Sequence, residues 1–179
     1  AGPDMTITTG TGTGGSAGQP FGGSVFSPRT WNGCIYYDVG TAGSYNLVGT
    51  GCLNSTGNVA GNTMTGGTVP TYGQIISFTI DNAPANEPLS GILIGFANLG
   101  GIPMDAIGMT GCNLYADGQL SLLAPTNSTG VGVTTPFGIP NDPAQVGAKI
   151  YTQPFIKDLG TNLFGAVVGD AREVVVGCP

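Results

Sequence analysis

At residues 5–8, Met5 and Ile7 are interleaved with Thr6 and Thr8, the period-two signature of a strand with one buried face. The run sits in a tract, 1–24, made largely of Gly, Thr and Ser. Such a tract loses much backbone entropy on ordering and buries little apolar surface in return. The pattern predicts an extended N-terminal arm, residues 1–24, that lies in a groove of another subunit with Met5 and Ile7 as its anchors. The donor stretch is expected at 4–13. A turn-rich connector then leads to Trp31, the only tryptophan, read as a structural anchor.

From residue 25 onward the pattern is one of short strands. CIYYDVG (34–40) and SYNLVG (44–49) read as a hairpin across Thr-Ala-Gly, and 50–73 as loop with one short strand near 59–64. QIISFTID (74–81) is a strand that Pro84 and Pro88 separate from LSGILIGFAN (89–98). The second run is almost continuously apolar, which marks a strand buried on both faces or a central sandwich strand. CNLYAD and GQLSLLAP meet at Asp117-Gly118, a dipeptide that predicts a tight hairpin. TGVGVTT (129–135) follows, then QVGAKIYTQPFIKD (145–158), with room for a helical turn before its strand. Two short strands, or one bulged strand, flank Gly169-Asp170. Nine or ten short strands at this spacing predict an all-β fold, a single antiparallel β-sandwich of jelly-roll or immunoglobulin-like type over residues 25–179.

Composition sharpens this picture. The 179 residues include 33 Gly and 13 Pro, with 4 Lys and Arg against 10 Asp and Glu, a net charge of −6. Without a basic surface, nucleic acid is excluded as a partner. Low charge and a positive mean hydropathy predict apolar surface covered by neighbouring copies. No run is long and apolar enough for a membrane span. The chain starts at Ala1 without a charged and apolar leader, the expectation for a removed signal peptide. Cys34, Cys52, Cys112 and Cys178 show no CxxC spacing, and the chain has no histidine. Two disulfides are therefore expected rather than a zinc site, and they place the protein outside the cytosol. Of three connectivities, Cys34–Cys52 with Cys112–Cys178 is favoured, because each half then closes on itself.

Candidate chemistry is sparse. A GxGxxG pattern at 10–15 has no helix after it to receive a pyrophosphate. Lacking histidine and free thiols, an enzyme would depend on paired carboxylates, whereas Asp81, Asp105, Asp117, Asp142, Asp158 and Asp170 fall in turn contexts. Asp81, Asn82, Asn86 and Glu87 lack the dense carboxylates of a calcium loop. No catalytic residue, metal or cofactor is expected. Asn54-Ser55-Thr56 and Asn127-Ser128-Thr129 are N-glycosylation sequons. Tyr36, Tyr37, Tyr45, Tyr72, Tyr115 and Tyr151 either stack on sugars or, as their strand spacing favours, pack in the core.

Gly111-Cys112, the run IPNDPAQVG (139–147), Tyr151-Thr152-Gln153 and the apolar run 174–177 resemble a β-sandwich domain that recurs in secreted and surface proteins of environmental bacteria. The resemblance covers about 89–177. It implies a fold and an extracellular or cell-surface location, and no catalytic residue. Two functions fit these readings. One is a structural subunit of an extracellular filament, a homopolymer joined by N-terminal strand addition. The alternative is a secreted module that binds a glycan or cell-wall polymer.

Overall fold

In a computed structural model, residues 42–65 and 69–179 are described, together with two short strands, β1 (Gly12–Thr13) and β2 (Val25–Phe26). The expected anchors Met5 and Ile7, the connector to Trp31, the strand at 34–40 with Cys34, Tyr36 and Tyr37, and most of the glycine motif at 10–15 lie outside the described residues. The chain divides into two units, Ala1–Val39 and Gly40–Pro179. In the first, β1 and β2 pair antiparallel, Gly12 with Phe26 and Thr13 with Val25. The last two residues of the expected donor stretch are therefore paired within their own chain.

The second unit is all-β. Its strands are β3 (Ser44–Gly49), β4 (Gly61–Thr65), β5 (Ile75–Asp81), β6 (Ser90–Gly95), β7 (Asn98–Pro103), β8 (Asn113–Ala116), β9 (Leu120–Leu123), β10 (Gly132–Val133), β11 (Phe137–Gly138), β12 (Lys149–Lys157), β13 (Ala166–Val168) and β14 (Ala171–Val175). A six-stranded sheet runs β3-β14-β12-β6-β9, with β13 also on β12. Facing it, β5 pairs with β4, β10 and β11 in a four-stranded sheet. Every strand ladder is antiparallel. Ile76, Phe78 and Ile80 of β5 alternate inward, against Ile92, Ile94, Ile150, Ile156 and Val174 of the larger sheet. This is the expected sandwich, and the core follows from period-two alternation on one sheet and from nearly continuous apolar runs on the other.

Within the run at 89–98, Ser90–Gly95 form the interior strand β6, between β12 and β9, and Asn98 begins β7. Gly169-Asp170 separates β13 from β14, and β12 changes partner there: Thr152 pairs with Arg172, and Phe155 with Val168. That exchange leaves Pro154 opposite a break in the ladder, where a missing N–H costs least. A Cβ on Gly169 would lie 2.8 Å from the Pro154 ring, so glycine lets the two backbones approach. A single 3-10 turn, Pro143–Gln145, precedes β12, and the Asp142 carboxylate caps it by accepting from Ala144 N at 2.9 Å.

Two expectations are corrected. Asp117-Gly118 does not close a hairpin, because β8 pairs with β7 and β9 with β6. The ladders β6–β9 and β7–β8 follow one another along a single two-stranded ribbon, and Asp117-Gly118 is a corner in it. The carboxylate of Asp117 accepts from Phe96 N at 2.8 Å and Ala97 N at 3.3 Å, tying both limbs of the corner together, while Gly118 supplies a φ of 62°. Gly95 has no side chain because its Cβ would overlap the Asp117 carboxylate.

The second correction concerns the cysteines. Cys52 is bonded to Cys112, with Cα atoms 4.8 Å apart, which excludes both Cys34–Cys52 and Cys112–Cys178. Proximity in sequence misleads because Cys52 follows β3, and β3 pairs with the C-terminal strand β14. Cys52 N then donates to Val168 O at 3.0 Å, which carries Cys52 to the large sheet, where the ribbon tip brings Cys112. Cys178 is half-buried, just after Gly177, whose N–H donates to Pro70 O at 2.8 Å. The bridge is consistent with an oxidising compartment.

Candidate functional site

Beyond its corner the ribbon folds back over the outer face of the large sheet. Gln153, fully buried in β12, holds it there: its Oε1 accepts from Tyr115 N at 2.9 Å, and its Nε2 donates to Asn113 O at 3.0 Å and Gly169 O at 3.1 Å. At the tip, Met104 N donates to Cys112 O at 2.9 Å, and the Cys52–Cys112 bond fixes that end covalently. Gly100 and Gly101, with φ of 69° and 84°, provide the irregularity in β7 between Asn98 and Ile102.

Between the folded-back ribbon and the sheet lies an apolar groove of about 490 Å³. Leu93, Gly91 and Phe155 belong to the strands β6 and β12, and Met104 and Leu114 to the overlying ribbon, while Ser121, Leu123 and Leu89 are among the other lining residues. The pairings Leu93 with Ser121, Gly91 with Leu123 and Phe155 with Gly91 put these residues on one face of the sheet. The absent side chain of Gly91 lowers the face between Leu123 and Phe155.

The groove adjoins a strand edge. β9 pairs with β6 on one side, and among the described residues no strand pairs with its other side. Edge strands are commonly guarded by charge, proline or a bulge; residues 119–124, Gln-Leu-Ser-Leu-Leu-Ala, carry none of these. Leu120 and Leu123 are 44% and 64% exposed. Among the described residues the site thus offers a strand edge without a strand partner beside an apolar cleft. Sequence reading placed β9 in a hairpin and missed this edge; the signal was in LSLL, whose leucines occupy both faces of a short strand.

The other candidate residues are dispersed. Asp105, Asp117, Asp142, Asp158 and Asp170 each accept a backbone N–H, from Gly111, Phe96, Ala144, Ser55 and Gly51 respectively; for Asp105 and Asp142 the bond is local, as in a turn, whereas Asp117, Asp158 and Asp170 tie together segments distant in sequence. Asp81 accepts from the Asn82 side chain at 2.9 Å, and Glu87 from Leu89 N at 3.2 Å. Among the described residues no three of His, Cys, Asp and Glu converge as a metal site.

Tyr45 and Tyr151 lie on opposite faces of the large sheet, since they pair with the successive residues Val174 and Glu173 of β14. Tyr45 faces the core, stacked on Phe78 at 6.5 Å, with the Arg172 guanidinium 5.6 Å from its ring centre. Its hydroxyl donates to Asn62 Oδ1 at 2.8 Å, and burial pushes its acidity well below that of an ordinary phenol. On the outer face, Glu173 accepts from Tyr151 at 2.7 Å and from Lys149 at 3.1 Å. The Tyr151 hydrogen bond, followed by that of Lys149, holds the Glu173 carboxyl below its usual range.

Both sequons occupy turns of one design, in which the asparagine Oδ1 accepts the threonine hydroxyl, at 2.6 Å for Asn54 and 2.7 Å for Asn127. Asn54 is buried and Asn127 exposed. Comparison with known proteins gives no match to a family model, a curated protein or a solved structure.

Proposed function

We propose that this protein is a non-enzymatic structural subunit of an extracellular or cell-surface filament, and that residues 4–11 of one copy add as a strand to the free edge of β9 in the next. The observation that carries this reading is the unguarded β9 edge beside the apolar groove. A strand laid on that edge sends alternate side chains to the groove face, opposite Ser121 and Leu123. Met5 and Ile7 have that spacing, and Thr6 and Thr8 take the other face. Strand addition supplies backbone hydrogen bonds, and pockets for alternate side chains supply specificity. Burying Met5 and Ile7 contributes on the order of 1.5–3 kcal/mol each. Because donor and acceptor are different surfaces, the contact is head-to-tail and need not close, which allows it to propagate as a filament. A charged fraction of only 8% supports an assembled state.

Electron microscopy and light scattering of the purified full chain test the proposal. The intact chain is expected to form filaments. Met5→Asp with Ile7→Asp on the donor side, or Leu123→Asp on the acceptor side, is expected to give monomers with unchanged circular dichroism. Identical filaments from both variants, or an intact chain that stays monomeric at high concentration, would refute it. In the latter case the glycan-binding alternative takes precedence.

A further inference from the structure

The chain contains Asn-Ser-Thr-Gly twice, at 54–57 and 127–130, and both copies fold into the same turn. Asn54 N donates to Asn58 O at 2.8 Å, and Asn127 N to Val131 O at 2.8 Å. Each Oδ1 also accepts the N–H of its threonine, at 2.9 Å for both Thr56 and Thr129. Each turn closes on a glycine at positive φ, 79° at Gly57 and 74° at Gly130. The two copies therefore present the threonine hydroxyl to the asparagine carbonyl in the same way. They differ at the amide nitrogen.

Nδ2 of Asn54 donates to Asn82 O at 2.7 Å, and the residue is 4% exposed. The backbone beside it is docked as well, since Ser55 N donates to the buried carboxylate of Asp158 at 2.6 Å. A substituent on that nitrogen has no room and displaces the bond to Asn82, leaving a carbonyl without its donor. Asn127 is exposed. Its Oδ1 is engaged by Thr129 and Val131, whereas its Nδ2 makes no hydrogen bond among the described residues.

From this difference we infer that Asn127 is the acceptor of an N-linked glycan in the folded protein, and that Asn54, in the same turn, is closed to modification. The co-reactant is a lipid-diphosphate-linked oligosaccharide. A bond forms between Nδ2 and the anomeric carbon, the bond from that carbon to the diphosphate oxygen breaks, the lipid diphosphate leaves, and one Nδ2 proton passes to a base of the transferase. The turn keeps Oδ1 and the threonine hydroxyl in place during the transfer and leaves Nδ2 as the reacting atom. This inference is independent of how the chain assembles.

The test incubates the folded, disulfide-intact full chain with an oligosaccharyltransferase active on Asn-Ser-Thr peptides and its lipid-linked donor, followed by intact mass and peptide mapping. The expected result is a single glycan, carried by Asn127. Asn127→Gln abolishes the mass increase, and so does Thr129→Ala, which keeps the asparagine and removes the hydroxyl. The reduced and unfolded chain acquires glycans at both asparagines, which shows that folding closes Asn54. A folded chain left unmodified at Asn127, or modified at Asn54, overturns the inference.

Discussion

Gln153 is a buried amide whose hydrogen bonds run to Tyr115, Asn113 and Gly169, so it sets the height of the ribbon above the sheet. Replacing it with leucine keeps the volume and orphans one N–H and two carbonyls. At about 1–3 kcal/mol for each buried group left unpaired, Gln153→Leu is expected to destabilise by on the order of 3 kcal/mol in urea unfolding; an unchanged midpoint contradicts the role given to it. Glu173 gives a second residue-scale expectation. Its folded carboxyl titrates below the usual 4.5 because Tyr151 and then Lys149 donate to the ionised form. A depressed carboxylate contributes stability that is fully present above its unfolded value and is lost as pH falls through the folded value. Carboxyl NMR titration should place Glu173 below 4.5, and Tyr151→Phe should return it toward that value. No movement in the variant would assign the depression to another cause.

At the scale of elements, the Cys52–Cys112 bridge and the bent ribbon shape the groove together. The bridge closes a separation of 60 residues, for which the chain-entropy model gives about 4 kcal/mol. Peptide mapping of the non-reduced protein should recover Cys52 joined to Cys112, and Cys52→Ser with Cys112→Ser should lower stability by about that amount; a Cys34–Cys52 peptide contradicts the fold. The central strand β6, the alternating strand β5 and the pair of strands around Gly169-Asp170 were legible because each declares itself within eight or ten residues. The corner at Asp117-Gly118 was not, because a tight hairpin and a bend in a longer ribbon use the same dipeptide. Which of them forms depends on Gly95 and Phe96, some twenty residues away, and on the Asp117 carboxylate reaching them. The bridge was illegible for a related reason: pairing of β3 with β14 is a contact between the two ends of the unit. The free β9 edge, a consequence of that corner, became visible only once the corner was known.

For the whole molecule, the large sheet ends, among the described residues, in an edge strand with neither charge nor proline, and the chain supplies a segment of matching period elsewhere. An unguarded edge is a liability in a monomer and a joint in a polymer. The alternating run 5–8 and the β9 edge account for each other if they meet between copies. Cysteine cross-linking asks this directly: Ile7→Cys in one preparation and Ser121→Cys in another are mixed under mild oxidation and resolved by non-reducing electrophoresis and peptide mapping. A disulfide between position 7 of one chain and position 121 of the other is expected, and its loss when Leu123→Asp is added to the acceptor. The contrary result is no cross-link between the mixed chains, or one that persists unchanged with Leu123→Asp on the acceptor.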